Sequence, residues 1–168
     1  MASFGHNHVI QAKTLVGDIV LAEDFHQSNF HFAIPVADLQ VDAAAARSAE
    51  GDEFAKLPDA EAIAGTTRNM LGSKVLDAAF YPQIEIRSVA VTGPAGAPDV
   101  TVRVKLRGVE RDITMPLAID YRDDQIAVTA LFAIDQTDFG ITPLSLLGGA
   151  LQVANRVRVR LRIVARKA

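Results

Sequence analysis

The sequence contains no cysteine and no tryptophan, and only 6% of its residues are aromatic. Without cysteine, the chain can form neither a disulfide framework nor a thiolate site for metal binding or nucleophilic catalysis. No apolar run approaches the length that a transmembrane helix needs. The formal net charge of -3 gives no reason to expect a nucleic-acid partner. At 168 residues the chain is expected to form one domain, which is long enough to bury a substantial core.

The N-terminal residues MASFGHNHVIQ lack the basic segment and the apolar run of a secretory signal peptide. The sequence as given therefore favours a cytoplasmic protein and leaves its localisation open.

The most strongly patterned stretch covers residues 75–117 and predicts a β-hairpin. Apolar and polar residues alternate in it, which is typical of strands with one dry and one wet face. The first strand places on its apolar face Val100, Val102, Val104 and Leu106. After a turn at Gly108 the alternation returns with Ile113, Met115, Leu117 and Ile119. Two such runs joined at a glycine predict a hairpin.

Further strands show the same alternation. We predict strands over residues 6–17 and 18–22, with a bend at Gly17, and over 29–36 and 125–135. The last strand points its arginines outward, namely Arg156, Arg158, Arg160 and Arg162, and its apolar residues inward, namely Val157, Val159, Leu161 and Ile163. Together these runs predict about seven or eight antiparallel strands.

Two segments predict short helices. Residues 42–56 are rich in alanine, and we predict a helix capped by Asp42 and broken at Gly51. A second helix is predicted over residues 59–71, between Pro58 and Gly72.

Three blocks carry a family resemblance: YPQIEIRS at 81–88, VTVRVKLRGVERDITMPL at 100–117 and FAIDQTDFGI at 132–141. From roughly Phe30 to the C-terminus, the chain resembles the YceI-like lipid-binding proteins. The resemblance implies a mainly β fold, an antiparallel lipocalin-like β-barrel with one or two short helices, in one domain over residues 1–168. It implies that the lumen holds a long apolar lipid, a polyisoprenoid or isoprenoid-quinone tail, for transport or storage, with no cofactor and no catalysis.

The resemblance also sets expectations about context. Relatives are often exported to a periplasm, some have roles in stress responses, and a lipid carrier encounters membranes at their surface. Relatives usually carry an additional N-terminal strand before the Gly-His-x-His-like piece with which this chain nearly starts. We therefore expect an open sheet edge, for which homodimer formation is one outcome.

The lumen-facing residues follow from the alternation combined with the expected barrel. Slender aliphatic walls leave room for a flexible hydrocarbon chain. The predicted ligand-binding residues are Phe30, Phe32, Ile34, Ile86, Val102, Val104, Met115, Leu117, Phe132, Val159 and Leu161.

Two other interpretations stay open at this stage. His6 and His8, with His26 and His31 as further ligands, fit a metal-binding protein or a small stress-related enzyme. Alternatively, the barrel has a filled interior and a structural or partner-binding role. The carboxylates and serines show no pairing suited to acid-base or nucleophilic catalysis, so we predict no catalytic residue. The outward arginines are typical of a solvated face, with an acidic partner as the alternative.

Overall fold

The computed structural model describes residues 7–146, 148 and 151–167. Within these residues the strands are β1 (Ile10–Ala12), β2 (Val16–Val20), β3 (Asn29–Pro35), β4 (Leu39–Val41), β5 (Gln83–Thr92), β6 (Asp99–Leu106), β7 (Val109–Pro116), β8 (Ala118–Arg122), β9 (Gln125–Asp135), β10 (Ser145–Leu146), β11 (Leu151–Gln152) and β12 (Arg156–Arg166). The α-helices are α1 (Ala44–Ser48) and α2 (Ala60–Leu71). Short 3-10 helices cover Phe25–Gln27, Val36–Asp38, Asp52–Phe54 and Gln136–Phe139. The predicted mainly β class with short helices is confirmed.

Two larger sheets provide most of the structure. One has five strands in the order β2-β3-β5-β6-β7, and the other has three in the order β12-β9-β8. Pairs β1-β4 and β10-β11 form separate two-stranded sheets. The strand pairs of the described residues are antiparallel. The strands of the two larger sheets agree with the predicted seven or eight. No helix in the described part of the chain is long and apolar enough to cross a membrane.

The central hairpin and the apolar face of its first strand are confirmed, but the second strand ends at Pro116, and Ile119 lies in β8 of the other sheet. Val100 pairs with Met115, and the turn consists of Arg107 and Gly108, both with positive φ. The apolar residues of β6 are buried along the whole strand. Glycine is required at position 108 for two reasons. Its φ is 75°, and an added Cβ would lie 2.8 Å from the Tyr81 ring. The turn therefore closes against the segment that leads into β5.

Gly17 corrects the prediction for the N-terminal strands. The second strand begins at Val16 rather than at residue 18, so Gly17 lies inside β2 opposite Phe32. A Cβ at this position would lie 2.0 Å from the His31 backbone oxygen and 2.7 Å from Phe32 Cδ1. Only glycine allows β2 to approach β3 this closely.

Both helices lie where the sequence predicted them, but the predicted N-cap of α1 is wrong. Ala43 occupies the N-cap of α1 without a side-chain hydrogen bond. The Asp42 carboxylate is instead fully buried, where Oδ1 accepts hydrogen bonds from Arg47 Nη1 at 2.6 Å and from Val9 N–H at 2.9 Å. Its second oxygen lies 2.6 Å from His8 Nδ1. By contrast, Asp59 caps α2 as predicted and accepts from Ala62 N–H at 2.8 Å.

Candidate functional site

An apolar cavity of about 120 Å³ lies between the two larger sheets. The five-stranded sheet contributes side chains such as Phe32 and Val102, and the three-stranded sheet contributes Phe132 and Leu161. Among the described residues that line the cavity, Ser28, Asn29 and Tyr121 alone have a polar side-chain group, and none is charged. The cavity therefore offers burial to an apolar ligand and almost no polar anchor.

The structure brings together all but one of the residues that the sequence placed in the lumen. The lining residues among them are Phe30, Phe32, Ile34, Ile86, Val102, Val104, Met115, Leu117, Phe132 and Leu161. Val159 does not line the cavity. It pairs with Phe132 in the β9-β12 register and is half-buried. The same alternation predicted Val157 as inward-facing, and this residue is 39% exposed.

Several lining residues were missed, and they fall into two groups. Members of alternating strands had a usable signal, because they share a face with the named residues: Val100, Ile119, Val128 and Ile163. No such sequence signal marked the second group, which consists of Leu15, Ile19, Leu21 and Phe25. They belong to β2 and its flanking segments, where neither face is cleanly apolar.

The cavity is closed at one end by a group of buried side chains that we call the floor: Val36, Leu106 and Phe139. Their exposed fractions are 1%, 7% and 1%. Phe139 lies in the 3-10 helix Gln136–Phe139, where Gly140 ends the turn in a left-handed conformation. These side chains belong to one core cluster, and none of them lines the cavity.

At the opposite end, which we call the mouth, lining side chains reach solvent. Leu21 is 52% exposed and Tyr121 is 48% exposed. Burial of part of the ring raises the pKa of Tyr121. Exposed side chains of this kind at the entrance of an apolar cavity are typical of an interaction surface.

Two aromatic rings narrow the cavity between the mouth and the floor. Phe30 and Phe32 stack with ring centroids 5.2 Å apart and an interplanar angle of 28°. Phe32 is buried, whereas Phe30 is half-buried. The backbone beneath them is fixed, because Phe30 N–H donates to Ser88 Oγ at 3.0 Å where the β5-β6 register shifts between Ser88 and Ala90. The open width of the cavity at this point therefore depends on the orientations of the Phe30 and Phe32 rings.

The arginines of β12 point away from the cavity, as predicted. Arg160 Nη2 lies 3.1 Å from Glu50, Arg158 Nη2 lies 3.6 Å from Glu53, and Arg156 Nη1 lies 3.6 Å from Asp135. Acidic groups of the same chain thus accompany this row, which favours a solvated outer face over a binding surface for an acidic partner.

The histidine interpretation finds no cluster in the part of the chain that the structure describes, and His6 lies outside it. His8 contacts Asp42, while His26 Nε2 lies 3.0 Å from the Gly93 carbonyl oxygen. Among the described residues, no group of three or more histidine, aspartate or glutamate side chains has the arrangement of a metal site.

Solved structures with the same fold come from several bacteria. BcnA from Burkholderia cenocepacia is 17% identical, with a TM-score of 0.71 over 93% of this chain and 86% of that protein. The Campylobacter jejuni YCEI protein is 12% identical, with a TM-score of 0.72 over 100% and 90%. A polyisoprenoid binding domain from Saccharophagus degradans, implicated in plant cell wall breakdown, is 14% identical, with a TM-score of 0.60 over 96% and 92%.

The comparison with curated proteins gives no match. A sequence model of the YceI-like domain, however, matches residues 2–165. The match extends beyond the three blocks from which the resemblance was first inferred and includes both larger sheets. The chain therefore belongs to the YceI-like domain family.

Proposed function

We propose that this protein binds a long apolar lipid in the cavity, a polyisoprenoid or an isoprenoid-quinone tail, and transports or stores it without chemical conversion. The observation that carries the proposal is an uncharged cavity whose walls come from both larger sheets. The polyisoprenoid binding domain from Saccharophagus degradans, which shares the fold, supports the choice of ligand.

The chemistry of the walls suits a hydrocarbon chain. Burial of each CH₂ group contributes about 0.8 kcal/mol, so a prenyl chain needs no polar anchor. The cavity of about 120 Å³ is similar in size to engineered apolar cavities that stay dry and bind benzene. A longer chain requires more room, and the Phe30 and Phe32 rings are the groups that have to turn aside.

Binding without conversion agrees with the lining residues. General acid-base catalysis needs a titratable group within hydrogen-bond reach of the reacting atoms. In the described part of the chain the lining residues include no carboxylate, histidine or lysine, and burial raises the pKa of the titratable Tyr121 further above neutral pH. Ser28 Oγ already accepts a hydrogen bond from Ala22 N–H at 3.1 Å, and no base contacts it among the described residues.

Transport requires that the lipid leaves a membrane, and the mouth offers a surface for that encounter. Leu21 and Tyr121 are exposed there, beside Val20 at 50% exposure. We propose that this rim meets the membrane at its surface while the lipid passes into the cavity. Homodimer formation through an open sheet edge stays a prediction from the family resemblance.

Native mass spectrometry tests the proposal directly. Protein purified gently, or incubated with geranylgeraniol, should carry one lipid-sized adduct. Val102→Phe places a ring inside the cavity and should abolish the adduct, whereas Val164→Phe on the outer surface should retain it, with circular dichroism confirming that both variants fold.

Repeated absence of any adduct from the wild-type protein would contradict lipid binding. Stoichiometric zinc or copper in protein purified without a histidine tag would favour the metal interpretation instead.

A further inference from the structure

We infer that the cavity measures chain length: the floor limits the buried part of a ligand to about the length of an extended geranylgeranyl chain, and the rest of a longer lipid stays outside. This inference rests on the proposed function and adds a limit to it.

The limit comes from three chain segments, β6, β9 and the end of β3, on which the lining residues stop before the apolar alternation does. On β6, Val104 lines the cavity, but Leu106, the next residue on that face, is buried and does not. After β3, Ile34 lines the cavity and Val36 does not. On β9, Phe132 is the last lining residue.

The space beyond these lining residues is already occupied. Val36 and Phe139 are each 1% exposed, and with Leu106 they are members of the buried core cluster that do not line the cavity, whereas other members such as Val104 do. A ligand that advances past Val104 would have to displace these side chains. Interiors packed at this density resist even one additional methylene group.

The floor is also held from outside by Arg107. Its Nη1 donates to the Gly140 carbonyl oxygen at 3.0 Å, and its Nη2 donates to the Ser73 carbonyl oxygen at 2.8 Å. One guanidinium group therefore connects the β6-β7 turn, the turn after Phe139 and the segment after α2. Moving these loops apart to deepen the cavity would break both hydrogen bonds.

The register gives the available length. Ile126 lies at the mouth, paired with Tyr121, and Phe132 lies at the floor on the same strand. At about 3.3 Å per residue, the distance from Ile126 to Phe132 is about 20 Å. Geranylgeraniol extends over a similar length, whereas solanesol is far longer.

The test compares the dissociation constants of radiolabelled farnesol, geranylgeraniol and solanesol delivered from cyclodextrin. Each additional buried carbon strengthens binding about fourfold. We expect affinity to rise at least about tenfold from farnesol to geranylgeraniol and to change by less than about threefold from geranylgeraniol to solanesol. A further large gain for solanesol would overturn the length limit while leaving lipid binding intact. Failure of all three alcohols to bind would instead refute the proposed function.

A floor variant provides the second test. Leu106→Ala should open the floor and raise the affinity for solanesol at least about tenfold relative to geranylgeraniol. Val41→Ala truncates a buried side chain that belongs neither to the buried core cluster nor to the lining, so it should leave that ratio unchanged. Leu106→Val is the milder substitute if Leu106→Ala does not fold, with a smaller shift in the same direction. An unchanged ratio in a folded Leu106 variant would contradict the assignment of Leu106 to the floor.

Discussion

The floor and the mouth differ although the same strands build both ends of the interior. Val104 and Leu106 are neighbours on one face of β6, yet the first lines a cavity and the second is packed. The difference comes from the segments between the strands. At the floor, the 3-10 helix with Phe139 inserts a buried ring, whereas at the mouth Leu21 and Tyr121 remain half exposed. A connecting segment that inserts Phe139 beside Leu106 thus distinguishes the packed end of the interior from the open one.

The largest expected contrast is between two phenylalanines, Phe139 at the floor and Phe30 in the cavity wall. Phe139→Ala should lower the free energy of unfolding by about 3–5 kcal/mol, because it leaves a void in packed surroundings. Phe30→Ala should cost roughly 1–2 kcal/mol, because a half-buried ring beside an open space loses fewer contacts. Urea denaturation of both variants measures the contrast. Equal losses would show that the floor and the cavity wall are packed alike.

We expect Asp42, which follows the floor residue Val36 in the sequence, to make a pH-dependent contribution to the free energy of unfolding. Burial alone would raise the pKa of Asp42, but hydrogen bonds from His8, Val9 and Arg47 hold it below its usual 3.8. Because this pKa is lowered by folding, the stabilisation is complete above 3.8 and is lost as the pH falls through the lower folded value.

Asp42→Asn tests this contribution, since it leaves the Arg47 charge buried without its counter-ion. It should cost about 3–5 kcal/mol at neutral pH. In urea denaturation the difference from wild type should shrink as the pH falls below 3.8. Asp112→Asn, in an exposed pair with Arg103, is the control and should have a much smaller effect. A gap between wild type and Asp42→Asn that does not change with pH would exclude the buried carboxylate as its source.

The wall of the cavity depends on Gly17. Gly17→Ala should destabilise the protein by about 1–3 kcal/mol, because its Cβ would overlap the His31 carbonyl and the Phe32 ring and force β2 away from β3. Gly96→Ala has open space around its Cβ and should stay within about 0.5 kcal/mol of wild type. Thermal unfolding of both variants, followed by lipid binding, measures the effect. A neutral Gly17→Ala would mean that β2 does not lie so close to β3.

The smallest expected effect comes from adding one methylene group, either to the packed floor or to the open cavity. Val36→Ile adds a methylene group to the floor and should cost about 1 kcal/mol or more through overpacking. Val102→Ile adds the same group to the cavity wall and should be neutral or stabilising by about 0.5–1 kcal/mol. Chemical denaturation of the two variants compares them. A greater loss of stability for Val102→Ile than for Val36→Ile would contradict the division of the interior into a packed floor and an open cavity.

The strands were predictable from sequence because alternation reports directly which face of a strand is dry. For this reason β6, β7 and β9 and ten of the 23 lining residues were predictable from the alternation. Gly17 and β2 were misplaced, because a strand with two mixed faces carries no such signal. Asp42 was assigned to a helix cap because its partners His8 and Arg47 meet it only after folding. At the floor, Leu106 lay on the predicted apolar face of β6, but the alternation does not separate a packed residue from a lining one, because Phe139 reaches this end from a connecting segment.

Methyl NMR during a titration with geranylgeraniol tests the central claim most directly. Large chemical-shift changes are expected for methyl groups of the cavity, such as Val102, Leu117 and Leu161. The methyl groups of the floor residues Val36 and Leu106 should stay nearly fixed. Equal shifts at both ends, or shifts confined to the outer surface, would contradict a protein that keeps one end of its interior packed and the other open for a lipid chain.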